Sequence, residues 1–214
     1  MRGFFITIEG IDGAGKSTQA RMLAAWLRER GREVVVTREP GGTRLGEHLR
    51  RALLDGEAQV SPAAELLLYA ADRAQHIEQV IRPALAEDRT VVCERYADST
   101  AAYQGYGRGL DLEFVHRLNW FVTSGLEPDL TLLLDLPPQR ARERMTGTPD
   151  RLERETAAFH QRVAQGYQEL ARAHPQRIRV IDAAPAPEQV FRQVAQVVSD
   201  CLDERGRPVK GGEE

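Results

Sequence analysis

A glycine-rich loop near the start of the chain constrains its fold more than any other stretch. Residues 10–18 read GIDGAGKST and match the phosphate-binding pattern G-x-x-x-x-G-K-[ST]. Glycines let backbone N–H groups turn toward phosphate oxygens, Lys16 supplies positive charge for the β and γ phosphates, and Ser17 offers a hydroxyl to Mg²⁺. An apolar run at residues 4–8 precedes the loop and an amphipathic pattern follows it, as the strand and helix of such a site require. The predicted loop comprises Gly10, Ile11, Asp12, Gly13, Ala14, Gly15, Lys16, Ser17 and Thr18.

Short apolar runs, which with the run at residues 4–8 predict five buried strands, alternate with helical patterns along the rest of the chain. This alternation predicts an α/β protein with a five-stranded parallel sheet, helices on both of its faces and a ligand at the carboxyl ends of the strands. We predict one domain over residues 1–204, followed by a polar, disordered tail at residues 205–214. The later runs occupy residues 33–37, 90–93, 129–135 and 177–181. Among the helices, we predict one over residues 63–81 that is ended or kinked by Pro83, and one over residues 152–173.

Charged residues stand where several of these strands end. Glu94 ends the third strand, and a carboxylate there suits the Mg²⁺ side of a phosphate site. Arg95 follows it and can clamp a phosphate. Asp135 ends the fourth strand and is a second candidate carboxylate, although the N-terminus of the next helix explains an acid there equally well.

Two further stretches carry more than one interpretation. Tyr69 and Arg73 lie four residues apart on one side of a helix and can form the floor of a base pocket, but spacing alone favours a core tyrosine and a solvated arginine. Residues 140–154 are rich in arginine and interrupted by a Thr-Gly-Thr-Pro segment. A charge run is ordinarily a solvated face. Basic helix ends on either side of a flexible break are also typical of a mobile lid over phosphates.

Composition excludes several classes of protein. The net charge is −3 and the isoelectric point is about 6.0, so nothing indicates a nucleic-acid polymer as partner. No apolar stretch approaches the roughly 20 residues of a membrane helix. Cys93 and Cys201 lack a metal-ligand spacing, which favours free thiols and a cytoplasmic protein. The only asparagine, Asn119, precedes Trp120, so the N-K-x-D guanine motif of switch GTPases is absent.

With these residues in view, the chain resembles bacterial thymidylate kinases along nearly its whole length. The matching segments, in order, are EGIDGAGKST, TREPGGT, YAADR, ERYADSTAAYQGYGRG, PDLTLLLD and DRLERE. The resemblance implies transfer of the γ-phosphoryl group from ATP to thymidine monophosphate, with Mg²⁺, in a homodimer. Two alternatives stay open: a kinase of another nucleoside monophosphate or of a nucleoside, and a nucleotide-dependent switch.

The resemblance also implies roles for individual residues. Tyr69 stacks on the thymine ring, Arg73 bonds its carbonyl edge, and Tyr103 lies against the sugar and favours deoxyribose. Asp12 contacts the sugar and metal region, and Arg38, Arg50 and Arg95 surround the acceptor phosphate. The implied acceptor site comprises Asp12, Arg38, Arg50, Tyr69, Arg73, Arg95, Ser99, Thr100, Tyr103 and Gln104.

Two departures from the family pattern affect the chemistry. Glu94 stands where relatives commonly carry aspartate, one methylene shorter. With Ser17 it forms the predicted Mg²⁺ site. The loop residues Gly13 and Ala14 supply no charge, whereas some relatives carry an arginine there. Charge for the transferring group must then come from the lid. The predicted catalytic residues are Lys16, Arg95, Arg142, Arg144 and Arg151.

Overall fold

The computed structural model describes residues 3–204, so the predicted disordered tail lies outside the described residues. It is an α/β protein built on a five-stranded sheet in the order β2-β3-β1-β4-β5, in which all four neighbouring pairs of strands are parallel, which confirms the predicted class. The strands are β1 (Phe5–Glu9), β2 (Val34–Arg38), β3 (Thr90–Glu94), β4 (Leu130–Asp135) and β5 (Ile178–Asp182).

The predicted burial holds for the centre of this sheet and fails at its margins. Every residue of β1 is buried, whereas β2 and β5 are only partly buried. Both are edge strands, which receive less cover from the flanking helices than the strands between them. All five strands were predicted as buried, so the prediction is wrong for these two.

Helices cover both faces of the sheet. Their apolar sides pack on a core that includes Leu23 and Leu27 of the first helix and Val194 and Val198 of the last. The helices of the described residues are α1 (Lys16–Glu29), α2 (Arg44–Leu54), α3 (Pro62–His76), α4 (Arg82–Ala86), α5 (Ala97–Thr100), α6 (Leu112–Thr123), α7 (Pro138–Arg144), α8 (Ala157–Ala173) and α9 (Pro187–Glu204).

The helix that was predicted to be ended or kinked by Pro83 does not end there. A π turn at Ile77–Ile81 follows α3, and α4 carries the helix on to Ala86. Proline has no N–H to donate and crowds the carbonyl four residues earlier. A wider π turn directly before it is therefore the place where the helix changes its hydrogen bonding.

Two other segments differ from the sequence-based expectation. The polar, glycine-bearing stretch after β3 is helical: α5 runs into a second π turn at Ala101–Gly107. The helix predicted from residue 152 begins only at Ala157, because the Thr156 hydroxyl accepts a hydrogen bond from the Phe159 N–H at 3.2 Å and caps it. Residues 145–156 are thus left as the non-helical connection from α7 to α8.

The topology gathers the charged strand ends at one edge of the sheet. β1 lies at the centre, with β3 on one side and β4 on the other, so the loop after β1 opens between the two. This is the position where open α/β sheets bind their ligands. No helix within residues 3–204 combines the length and apolar character needed to cross a membrane.

Candidate active site

The loop after β1 has the backbone that the phosphate-binding pattern requires. Gly10, Gly13 and Gly15 have φ values of 136°, 81° and 94°, in the region that glycine adopts without strain. A Cβ on Gly13 would lie 2.2 Å from the carbonyl oxygen of Ala141, so α7 packs directly on the loop. The first helix begins immediately afterwards, and its unbonded N–H groups and positive dipole end face the loop.

Lys16 is held over this loop. Its side chain is buried, and Nζ donates to the carbonyl oxygen of Ile11 at 2.8 Å and lies 3.8 Å from a carboxylate oxygen of Asp12. Burial, with the nearby Arg95 guanidinium, lowers the pKa of Lys16 to about 8. A buried cation with a lowered pKa is set to gain from an incoming anion.

A cavity of about 630 Å³ opens beside the loop. Its other wall is the segment Ala183–Pro187 that follows β5, together with Arg144. The Arg144 guanidinium donates to the carbonyl oxygens of Ala183 and Ala184 at 2.8 and 2.7 Å. The volume is typical of a small-molecule site.

The two predicted metal ligands meet at the mouth of this cavity. The Ser17 hydroxyl donates to a carboxylate oxygen of Glu94 at 2.8 Å, which brings the first turn of α1 to the end of β3. A hydroxyl and a carboxylate are hard oxygen donors of the kind Mg²⁺ prefers. Asp135 does not join them, since it is exposed at the end of β4 and does not line this cavity.

A second, narrower cavity adjoins the first through Asp12. Its volume is about 60 Å³, so a nucleotide must move its walls apart to enter. The Thr100 hydroxyl in its wall is buried and has no hydrogen-bond partner among residues 3–204. Of the residues that the resemblance assigns to the acceptor, the structure gathers here Asp12, Arg50, Tyr69, Arg95, Ser99, Thr100, Tyr103 and Gln104.

Arg95 is the centre of this second cavity. It has a positive φ of 66°, and one guanidinium nitrogen donates to Asp12 at 2.6 Å and to the Tyr103 hydroxyl at 3.1 Å. The other terminal nitrogen donates to the Ser99 and Tyr167 hydroxyls at 3.1 and 3.2 Å. Although burial alone would raise the pKa of Asp12, the Arg95 and Lys16 charges lower it below its usual value.

Glu9, which the sequence analysis did not single out, lies directly behind Arg95. Its buried carboxylate accepts hydrogen bonds from the Tyr96 N–H at 2.7 Å, the Ser99 hydroxyl at 2.5 Å and the Tyr167 hydroxyl at 3.0 Å. Burial, and then the nearby Asp98 charge, raise the pKa of Glu9 to about 7. For Glu9, the only signal in the sequence was an acid at the carboxyl end of an apolar strand. For Tyr167 there was no signal in the sequence, because this residue falls within the apolar stripe of α8.

Arg73 is placed differently from the prediction. Its side chain is 1% exposed, so the solvated-arginine interpretation is wrong. It donates to Glu39 at 2.8 Å, to the Asn119 side-chain oxygen at 2.7 Å and to the Tyr96 carbonyl oxygen at 2.9 Å. A buried guanidinium must be paired, and these three protein groups pair that of Arg73. Arg73 does not line the second cavity. These bonds leave some of its N–H groups available, and contact with a base edge stays a prediction.

Arg38 of β2 and Arg50 of α2, both predicted to bind the acceptor phosphate, lie in different places. Arg50 lines the second cavity and donates to the Pro40 carbonyl oxygen at 3.0 Å. Arg38 is exposed, pairs with Glu47 at 3.2 Å and lies in a groove beside Ser17 and Glu94 rather than in that cavity. Its contact with an acceptor phosphate stays a prediction.

The three candidate lid arginines have three different environments. Arg144 lines the larger cavity, as described above. Arg151 pairs with the fully buried Glu65 of α3 at 2.6 Å and donates to the Leu53 carbonyl oxygen at 2.9 Å. Arg142 is exposed beside Ile11, and its side chain makes no hydrogen bond or ion pair with the described residues.

Comparison with known proteins gives one consistent result. The family model described as thymidylate kinase matches residues 8–194. The chain is 52% identical over 204 residues to a thymidylate kinase of Gloeobacter violaceus, covering 94% of this chain and 96% of the relative. It is 51% identical over 219 residues to a thymidylate kinase of Nitratidesulfovibrio vulgaris, covering 97% and 98% of the two chains.

A solved structure agrees with these relatives. The crystal structure of thymidylate kinase from Ehrlichia chaffeensis superposes with a TM-score of 0.78 at 35% sequence identity. The match covers 92% of this chain and 100% of the other.

Proposed function

The chain belongs to the thymidylate kinase family, whose enzymes transfer the γ-phosphoryl group of ATP to thymidine monophosphate (dTMP), and we propose that the two adjoining cavities are its donor and acceptor sites. The products are ADP and thymidine diphosphate. The reaction is a step in the supply of thymidine triphosphate for DNA synthesis. The observation that carries the assignment is Asp12, which lines both cavities and pairs with Lys16 on one side and Arg95 on the other.

The larger cavity is the proposed ATP site. The backbone N–H groups of residues 10–18 surround the triphosphate, and Lys16 places its charge on the β and γ phosphates. Ser17 and Glu94 are positioned to hold Mg²⁺, which when bound supplies charge that neutralises the phosphate oxygens. Because Glu94 reaches the Ser17 hydroxyl directly, its extra methylene extends the carboxylate to that position.

The smaller cavity is the proposed acceptor site. Arg95 and Arg50 supply charge for the acceptor phosphate, and Tyr69 supplies a ring for the base. The Thr100 hydroxyl, which has no partner within the described part of the chain, is available to bond the base. Ser99 and Gln104 complete the wall. Arg38, which is exposed beside Ser17 and Glu94, and Arg73, which is buried outside the cavity wall, are proposed to reach the acceptor only after the site closes around it.

Transfer between the sites needs alignment and charge more than covalent chemistry. The acceptor phosphate oxygen is already a nucleophile, so no protein group must remove a proton, and the protein's task is to hold the two phosphates in line. We propose that residues 140–154 act as the lid that excludes water from this reaction.

A coupled ADP-release assay with ATP and a panel of acceptors tests this function. We expect turnover with dTMP to exceed that with other nucleoside monophosphates and with nucleosides. A different preferred acceptor would support one of the alternative kinases, and nucleotide binding without acceptor-dependent ADP release would indicate a switch.

Tyr103 provides a test of the sugar preference. Its ring packs edge-on against Phe159 and Tyr167, and its hydroxyl donates to Asp12 at 2.8 Å. Tyr103→Ala should open space beside the sugar and lower the ratio of kcat/KM for dTMP over its ribose analogue by about 10-fold or more. The matched control is Tyr103→Phe, which keeps the ring and should keep the preference. An unchanged ratio in an active alanine variant would remove Tyr103 from the sugar site.

We also propose a homodimer, formed through an exposed apolar face shared by α3 and α6. The two helices pack together, and their outward side chains include Leu67, Phe114, Trp120 and Phe121, which are 50–78% exposed. Several large apolar side chains exposed on two helices that pack together are typical of a protein interface. Among the described residues, Cys93 and Cys201 are not joined by a disulfide, which supports a cytoplasmic location.

The dimer has a direct test. Phe121→Asp should convert the protein from dimer to monomer, measured by analytical ultracentrifugation, because a buried, unpaired charge at an interface is strongly unfavourable. Val180→Asp, on the exposed side of β5, is the control and should remain dimeric. A monomeric parent protein, or a dimer unaffected by Phe121→Asp, would contradict this interface.

A further inference from the structure

The proposed mechanism uses Arg95 but assigns nothing to the buried groups behind it. One terminal nitrogen of Arg95 donates to two hydroxyls, those of Ser99 and Tyr167. Both hydroxyls in turn lie within hydrogen-bond distance of the same oxygen of Glu9, at 2.5 and 3.0 Å. Glu9 is 0% exposed, so no solvent competes for these bonds.

The directions of the hydrogen bonds through this cluster are set by its two ends. Arg95 has only donors, and an ionised carboxylate has only acceptors. The hydroxyls of Ser99 and Tyr167 also lie 2.8 Å from each other. Each therefore turns its proton toward Glu9 or toward the other hydroxyl, with at least one proton on Glu9, and keeps a lone pair toward Arg95. A hydroxyl oxygen that faces the guanidinium with its lone pair attracts it, whereas one that faces it with its proton repels it.

We propose that Glu9 is a positioning residue of the acceptor site, which fixes the direction of the Ser99 and Tyr167 hydroxyls so that both accept from Arg95. The arrangement holds the guanidinium at the point where it also reaches Asp12, at 2.6 Å. This inference rests on the proposed role of Arg95 in binding the acceptor phosphate.

Glutamine at this position separates the effect on hydrogen-bond direction from that on packing. It has the shape of glutamate, but one end of its amide is a donor. If the amide nitrogen faces the hydroxyls, one of them can still donate to the other, but the second proton is left facing Arg95. If it faces the other way, it meets the N–H of Tyr96, which now donates to Glu9 at 2.7 Å. Either orientation leaves two donors in opposition inside a buried cluster.

The experiment measures kcat, the KM values of ATP and dTMP, and the melting temperature for Glu9→Gln. The buffer is kept at least one pH unit above the pKa of about 7 that Glu9 has, so that the parent carboxylate is ionised. We expect the dTMP KM to rise about 10- to 100-fold, with the ATP KM and the melting temperature near the parent values. An unchanged dTMP KM overturns the inference, as does a parallel rise in both KM values with a lowered melting temperature, which would indicate a purely structural role.

Tyr167→Phe and the double variant test the path of the effect. Tyr167→Phe should raise the dTMP KM without affecting the ATP KM, and in the double variant the two effects should be much less than additive, because Glu9 acts partly through Tyr167. Full additivity overturns the inference. If Glu9→Gln does not fold, Tyr167→Phe still decides the question, since an unchanged dTMP KM there also overturns it.

Arg95→Ala in the same series distinguishes this inference from the proposed function. A raised dTMP KM in Arg95→Ala with no change in Glu9→Gln overturns the role of Glu9 alone. An unchanged dTMP KM in Arg95→Ala overturns both the proposed role of Arg95 and the inference built on it.

Discussion

Replacing Lys16 by alanine should lower kcat by about 10²–10³ or more while the protein remains folded. Lys16 is 5% exposed, and its Nζ bonds the Ile11 carbonyl within the phosphate loop. Charge held in such a dry, preorganised position acts strongly on phosphate oxygens and needs no reorganisation during transfer. The folded state should tolerate the loss, because Asp12 retains its pairing with Arg95.

The measurement is kcat and both KM values, with melting temperature as the check on folding. Arg28→Ala is the matched control, since Arg28 lies on the same helix but bonds the Val34 carbonyl at the far end from the loop. It should keep kcat within a few-fold of the parent. Turnover near the parent value in a well-folded Lys16→Ala protein would contradict the assignment of the larger cavity to the triphosphate.

The sequence predicted those parts of the molecule whose signals are local. The residues of the phosphate loop are consecutive in the sequence, and the central strands are continuous apolar runs. The predicted bounds of these strands therefore agree with the structure to within one residue. The helical stretch Ala97–Gly107 was not predicted, because its glycines and polar residues resemble a loop. It becomes helical through contacts with α8, which packs along it.

Parts of the site that depend on tertiary contact could not be predicted. The partners of Arg73 come from the loop after β2, from α6 and from the end of β3, and nothing in the order of residues pairs them. The same is true of Tyr167, whose hydroxyl reaches Glu9 across 158 positions of sequence. The resemblance supplied the acceptor residues as a group, but the separation of Arg38 and Arg73 from the cavity wall follows from ion pairs seen only in three dimensions.

The environments of the three lid arginines give each one a distinct kinetic signature. Arg144 lines the donor cavity, so Arg144→Ala should mainly raise the ATP KM. Arg151 is tied to Glu65 in α3, near the acceptor cavity, so Arg151→Ala should mainly raise the dTMP KM. Arg142 is exposed beside the phosphate loop without a partner among the described residues, and it is therefore the one available to reach the transferring group.

Arg142→Ala should accordingly lower kcat by about 10³-fold or more, with little change in either KM. An arginine that acts on the transition state in this way contributes about 10³–10⁵ in kcat, and a group that binds only the transition state affects kcat rather than KM. The need for a further cation follows from Gly13 and Ala14, which leave Lys16 as the only cation of the phosphate loop.

Arg140→Ala, on the same helix as Arg142, is the control and should retain parent kinetics. If Arg144 or Arg151 carries the large loss in kcat, the assignment to Arg142 is wrong. If all three variants keep kcat within a few-fold of the parent, the charge comes from outside the lid.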